Sequence, residues 1–295
     1  MAGTVRMRNR LLFEPSELRP GRRVRLEGSD PRAKHILKVL NGGKNGGKIS
    51  LGTPLRVGVV GGERGQANIR RLPPSGNLEL EWTVTESGAE PELPRLDLVL
   101  AMPRPKVMKR LWSQLASLRV GTVWITGAQK VREKSYLTSG ALDPGYVYGQ
   151  LLRGLEQSGD TDVPEIRKSW SLQETLDYLV EGGGTRERVP GVLIQARRSS
   201  ARPPPLPRRL LSAHPEPGES GAGDSTGDVG DALRGLGSER VLLAIGPEGG
   251  WAPQELGIMS PPAFRRVSLG RRPLTTETAV VGLVSVLKEN MQDWS

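Results

Sequence analysis

The sequence predicts an α/β chain: a parallel-sheet domain over residues 94–295, with strands and helices in alternation, preceded by a small β-rich domain over residues 1–88, of barrel or sandwich type. Three observations carry this. From Leu96 onward short apolar runs alternate with amphipathic helical segments, the rhythm of βαβ units. Before that, strand candidates succeed one another across glycine, proline and asparagine clusters, as in small all-β modules. Between the two, Glu86 to Pro94 is a polar, proline-containing linker.

In the first domain the strand candidates are Arg22–Leu26, Leu55–Val60, Ala67–Ile69 and Leu78–Val84. One helix interrupts them at Pro31–Leu40, where Ile36, Leu37, Val39 and Leu40 can pack while Arg32, Lys34, His35 and Lys38 stay wet. These basic groups are either phosphate contacts or an ordinary solvated face. Gly42 to Lys48 has the spacing of a nucleotide phosphate loop, but Ile49 stands where a magnesium-binding serine or threonine is required. A strand-like run comes next where a helix is needed, so a lysine-bearing hairpin is expected.

The second domain opens with a strand at Leu96–Ala101. Val107, Met108, Leu111, Trp112, Leu115 and Leu118 then recur at helical spacing, with Lys106, Lys109, Arg110 and Gln114 opposite. Val123–Thr126 completes a βαβ unit and hence a right-handed crossover. Tyr146–Gln157 reads as a helix and Val163–Ile166 as extended. Ser171 to Glu174 has the spacing of a capping box and starts a helix to about Val180. Gly182–Gly184 stops it, and Val192–Gln195 is the next strand. Residues 197–240, rich in proline, glycine, serine and charge, bury too little apolar surface to offset their ordering entropy. A disordered insertion inside the second domain is expected there.

Composition narrows the chemistry. The 295 residues carry a formal net charge of +10, which suits a polyanionic partner such as RNA. There is no cysteine, which excludes disulfides, cysteine-based zinc sites and thiolate attack. His35 and His214 are far apart in sequence, so no metal site is expected. Apolar runs fall short of the roughly 18 residues of a membrane span, and the first residues lack a secretory apolar region. A soluble, cytoplasmic protein is expected.

Two loops draw attention. Gly246 to Trp251, GPEGGW, comes directly after the apolar run Val241–Ile245; its glycines allow close backbone approach to a ligand and positive φ. LGRRPLTTETA ends the run Phe264–Leu269, adds Arg271 and Arg272, offers Thr275 or Thr276 as helix N-cap, and places Glu277 in the first turn. In open α/β sheets, ligands bind at loops like these, beyond the carboxyl ends of the strands. The next stretch, AVVGLVSVL, is apolar nearly all round, as a helix against a core or a second subunit would be.

The pair GPEGGW and LGxRxLxTET resembles the motifs of the RsmE-type ribosomal RNA methyltransferases of the knotted SPOUT class. RLLF at Arg10–Phe13, HILKVL at His35–Leu40, AMPRPKVMKRLWSQLASLRVG, and LEQSG with VPEI between Leu155 and Ile166 extend the resemblance over nearly the whole chain outside 197–240. The resemblance implies a PUA-like β-barrel that grips RNA, with Arg10, His35 and Lys38 as candidate contacts, and an α/β domain tied in a trefoil knot. It further implies S-adenosyl-L-methionine held by three loops, a homodimer, and N3-methylation of a uridine in small-subunit ribosomal RNA. By position, Gly246, Pro247, Glu248, Gly249 and Gly250 form one cofactor loop, and Leu269, Gly270, Leu274 and Thr276, with Arg272, contribute to another. Arg272 is the expected stabiliser of the developing uridine anion, and Glu277 the group that orients the loop. Thr275 stands where the family often has arginine, Arg271 where it has proline, Ala196–Arg197 where a His–Pro pair comes after a strand, and Asp160 where arginine is frequent. The alternatives are a related knotted methyltransferase acting on ribose 2′-OH or transfer RNA, and an RNA-binding factor without catalysis.

Overall fold

The computed structural model describes residues 9–40, 54–71, 76–85, 93–180, 191–197, 209–213, 229–260 and 263–293. The chain divides into two compact units. One comprises residues 1–91 with 155–163 and 197–201; the other comprises the remainder. The Gly42–Lys48 segment, most of the Glu86–Pro94 linker and Gly182–Gly184 lie outside the described residues.

The first unit holds a five-stranded sheet. Its strands are β1 (Leu11–Phe13), β2 (Arg23–Leu26), β3 (Leu55–Val59), β4 (Arg64–Arg71) and β5 (Leu78–Thr85), in the order β1-β3-β4-β5-β2. β1 runs parallel to β3, and the other pairs are antiparallel. Strand β2 alternates exposed and buried residues, and β4 alternates half-buried and buried ones, as a one-sided sheet requires. Val24, Leu26, Ile69, Leu78 and Leu80 join Phe13, Leu55 and Val57 in one core, on which Ala33 and Ile36 of α1 (Pro31–Leu40) pack.

Leu155–Val163 belongs to this unit, held by Thr161, whose O accepts from Gly61 N–H at 2.8 Å and whose Oγ1 donates to Gly62 O at 2.9 Å, and by Arg10. Its guanidinium is 1% exposed and donates to Val57 O at 2.7 Å and Gly159 O at 2.9 Å, while Arg10 N–H donates to Glu156 O at 2.8 Å. The expectation that Arg10 meets RNA is therefore corrected: its charge serves backbone carbonyls inside the unit. Asp160 is also buried, accepting from Thr161 N–H at 2.7 Å and Asp162 N–H at 3.4 Å.

The second unit is built on seven strands. They are β6 (Leu96–Ala101), β7 (Thr122–Thr126), β8 (Glu165–Lys168), β9 (Gly191–Ile194), β10 (Arg209–Ala213), β11 (Val241–Ile245) and β12 (Phe264–Val267), in the order β12-β10-β11-β6-β7-β8-β9. All neighbours are parallel except β8 and β9. The helices are α2 (Pro105–Ser117), α3 (Pro144–Ser158), α4 (Leu172–Val180), α5 (Val229–Ala232), α6 (Pro253–Ile258) and α7 (Thr276–Met291). Leu172 and Leu176 of α4, with Met259 after α6, pack on the sheet face that carries Val99, Ala101, Trp124, Leu242, Ala244 and Phe264. In α2, Met108, Leu111, Trp112, Leu115 and Ala116 are buried, and Trp112 Nε1 donates to Ala141 O at 2.9 Å. Ser171 caps α4, accepting from Glu174 N–H at 3.2 Å.

The stretch 197–240 is where structure and expectation part. Arg209–Ala213 is not an insertion but strand β10, seated between β11 and β12 with Leu211 and Ser212 fully buried. Val229, Ala232, Leu233 and Leu236 are buried as well. Among the described residues no helix is long and apolar enough to cross a membrane.

Candidate functional site

Three parallel strands, β10, β11 and β12, end side by side, and residues at and beyond their carboxyl ends line one cavity of 190 Å³. β11 is buried along its length, so its end is rigid. Beyond it, Gly250 N–H donates to Pro247 O at 2.8 Å and Gly250 takes φ +69°, a left-handed conformation that glycine adopts without steric cost. The turn folds tightly on itself: a Cβ at Gly246 would lie 3.1 Å from Trp251 N. Glu248 projects outward and accepts from Arg104 N–H at 3.2 Å.

Beyond β12, Ser268 Oγ bonds both N–H and O of Gly270 at 3.0 Å, and Gly270 has φ +109°. Thr275 is the N-cap of α7, its Oγ1 accepting from Thr278 N–H at 3.3 Å. Gly282 of α7 leaves room for Leu269, whose Cδ1 would be 2.8 Å from a Cβ there.

Gly246, Pro247, Glu248, Gly250, Leu269, Gly270, Arg272, Leu274 and Thr276 all line the cavity. Gly249 lies beside it, against Lys130. Glu277 does not line it. Arg110 Nε donates to its two oxygens at 3.1 Å and 3.0 Å, and Gln114 Nε2 donates at 3.3 Å, so the carboxylate ties α7 to α2. The Arg110 hydrogen bond, outweighing partial burial, holds Glu277 below the usual carboxylate range. A carboxylate held so, with its oxygens already accepting from Arg110 and Gln114, is a weak base.

The lining is mostly apolar and backbone. Its two charged side chains are Glu248 and Arg272, and Arg272 makes no ion pair or side-chain hydrogen bond among the described residues. Trp251 is buried, yet its Nε1 has no acceptor there. Sequence reasoning did not assign the lining residues Ile245, Trp251, Val267, Ser268, Pro273, Ala279 and Leu283, nor, from a third strand, Ala213 at the end of β10. Its signal was the run RLLSA, with His214–Pro215 directly after it.

In the first unit, His35 and Lys38 are exposed on α1. A separate groove of 480 Å³ is lined by Arg19, Arg23, Arg25 and Arg71. Arg23 faces Glu79 and Glu81 at 3.9 Å and 3.6 Å. The side chains of Arg19, Arg25 and Arg71 have no such partner among the described residues.

The family described as the RNA methyltransferase domain matches residues 90–288. The chain is 29% identical over 289 residues to the ribosomal RNA small subunit methyltransferase E of Treponema pallidum, covering 97% of this chain and 92% of that one. It is 26% identical to the ribosomal RNA small subunit methyltransferase E 1 of Borreliella burgdorferi, covering 86% and 87%. The solved ribosomal RNA small subunit methyltransferase E of Neisseria gonorrhoeae, bound to S-adenosyl methionine, shares the fold with TM-score 0.63 at 19% identity, covering 95% and 97%. With two thirds of its length matched, the chain belongs to the RNA methyltransferase domain family and is similar along its length to the small-subunit methyltransferase E enzymes.

Proposed function

We propose that the protein methylates N3 of a uridine in small-subunit ribosomal RNA, in the cytoplasm, with S-adenosyl-L-methionine as donor. The observation that carries the reading is the convergence of three strand ends on a cavity walled by backbone, together with relatives named for ribosomal RNA small subunit methylation. The donor set fits the cofactor. Backbone N–H and C=O groups around Gly246–Gly250 and Gly270 suit an adenosine edge, the apolar wall suits its flat and aliphatic parts, and Trp251 Nε1 is a buried donor with no acceptor among the described residues.

S-adenosyl-L-methionine, when bound, would supply a methyl group activated on a sulfonium, the S–CH3 bond being exchanged for N3–CH3 with S-adenosylhomocysteine as the neutral thioether leaving group and the N3 proton released. The chain's own work is alignment and electrostatics. The β11 and β12 loops hold the donor in place, and the Arg272 guanidinium, without an ion pair among the described residues, stabilises negative charge developing on the uracil. The ion pair of Glu277 with Arg110 fixes where α7 starts, and so where Thr276 and Arg272 stand.

Three further elements belong to this reading. A trefoil knot in the segment that leads into α7 belongs to this reading through the resemblance of the GPEGGW and LGxRxLxTET motifs. Val281 and Val286 of α7 are half-buried apolar residues that a second copy would cover, supporting a homodimer. The five-stranded unit is a PUA-like RNA-binding barrel whose contact surface is the Arg19, Arg25 and Arg71 groove, with His35 and Lys38 on α1.

Incubating the protein with unmethylated small subunits and cofactor, then digesting the RNA for nucleoside mass spectrometry, is expected to yield N3-methyluridine. A ribose-methylated nucleoside, or no methylation, overturns the proposal.

A further inference from the structure

The loop after β7 and the residues that end β8 form a strip beside the cavity to which methyl transfer itself assigns no role. A Cβ at Gly249 would lie 3.3 Å from Cβ of Lys130, so the lysine stem runs along the first cofactor loop. The strip is held in place: Gln129 N–H donates to Glu255 at 2.9 Å, and Val131 N–H to Ala128 O at 3.1 Å. At its other end Gly127 passes so close to the Trp170 carbonyl that a Cβ would come within 2.2 Å of it. Residues 127–134 carry Lys130, Arg132 and Lys134 against one carboxylate, Glu133. All three cations are exposed and without an ion pair or side-chain hydrogen bond among the described residues.

Trp170 is 60% exposed, the most exposed of the large hydrophobic residues described. Its backbone is fixed by its N–H donating to Glu174 at 2.8 Å, and Lys168 Nζ stands 4.6 Å from its ring centroid. An indole left in water and held on a rigid turn beside cations has the components of a single-strand RNA platform, which pairs an aromatic face with a basic track. β8 lies three strands from β11, about 14 Å at roughly 4.8 Å per strand. That is the reach of a few nucleotides.

We propose that Trp170 is a stacking platform for an unpaired base of the RNA substrate, with Lys130, Arg132, Lys134 and Lys168 neutralising the adjoining phosphates. The inference rests on RNA being the substrate. A strand whose target uridine enters the cavity would cross the β7 loop and lay a neighbouring base on the indole.

The test measures binding of a short oligouridine to the full chain and to Trp170→Ala and Trp170→Phe, beside methylation of small subunits by each. Trp170→Ala is expected to weaken oligouridine binding about 5- to 150-fold, the range of one base–aromatic stack. Trp170→Phe should recover most of it, and cofactor affinity should not change. Replacing Lys130, Arg132 and Lys134 together by glutamine should make the dependence of log affinity on log salt shallower by about two, at roughly 0.7 per phosphate on a single strand. Equal affinity of Trp170→Ala and the parent chain, with methylation by the parent intact, overturns this inference alone. A parent chain that neither binds nor methylates RNA overturns the functional reading and this one with it. A change in association state by sedimentation at unaltered RNA affinity would assign Trp170 to a protein contact and overturn the proposal.

Discussion

Replacing Arg10 by alanine removes a guanidinium that is 1% exposed and that donates to Val57 O at 2.7 Å, Gly159 O at 2.9 Å and Gly65 O at 3.4 Å. A hydrogen bond involving a charged group contributes about 1.5–3 kcal/mol. Because the three bonds share one side chain they do not add, and loss of a buried charged partner costs about 3–5 kcal/mol in total. Set against the 5–15 kcal/mol that typically separates folded from unfolded domains, this is a large fraction. In urea, with a slope of about 2 kcal/mol/M, the midpoint should fall by roughly 2 M. Arg25→Ala is the matched control, an exposed arginine in the groove of the same unit. It should unfold within about 0.5 kcal/mol of the parent and instead weaken RNA binding, with a salt dependence shallower by about 0.7–0.9. An Arg10→Ala chain that unfolds at the parent's urea concentration but loses RNA affinity would refute the buried role and reinstate Arg10 as a nucleic-acid contact.

Other substitutions test the cavity. Arg272→Ala should lower the single-turnover methylation rate about 10²- to 10³-fold, the loss typical of one anion-stabilising donor, while calorimetry finds cofactor affinity unchanged; parental turnover would rule out the role. Glu277→Gln, which removes the ion pair that positions α7 but keeps an amide able to bond Arg110, should lower the methylation rate far less than the roughly 10²- to 10⁴-fold that loss of a true general base costs. Because the folded-state pKa of Glu277 is lowered, its stabilising contribution is present above the ordinary carboxylate value and is lost as pH falls through the lowered one. The stability gap between parent and Glu277→Gln should therefore be widest near neutrality and close in acid, and a gap that widens there would contradict the ion pair. Gly270→Ala introduces a Cβ with nothing within 4 Å at φ +109°, so its cost is conformational alone. About 1–3 kcal/mol of strain, if relieved by rearranging the loop, corresponds to roughly 5- to 150-fold weaker cofactor binding by calorimetry.

What could be read from the sequence was what neighbours in sequence decide. Leu96–Ala101 and Pro105–Ser117 were legible because apolar residues recur at strand and helix periods within one element. The loop after β11 was legible because glycines at a strand end have few other uses. Strand β10 was hidden by averaging. Its five residues are outnumbered by proline, serine and arginine before it and by proline, glycine and acid after it, and it is flanked by β11 and β12, whose residues lie further along the chain. β1 failed for a related reason: three residues are too few to show a period, and the partner strand is β3. Arg10 was misplaced because charge predicts exposure unless acceptors are supplied, and its acceptors lie 47 and 149 residues away.

The same distinction bears on the family departures. Thr275 replaces a frequent arginine but does not line the cavity; its hydroxyl caps α7, a role arginine, having no acceptor, cannot take. Arg271 replaces a proline and is likewise absent from the lining. Asp160 lies buried in the first unit, where its carboxylate accepts from the succeeding turn. Substitutions that alter caps and turns while sparing the wall should leave donor binding intact. In a cavity built mainly from backbone, the side chains that can be exchanged without loss are the ones that only hold the loops in shape, provided each new residue supplies its own means of doing so.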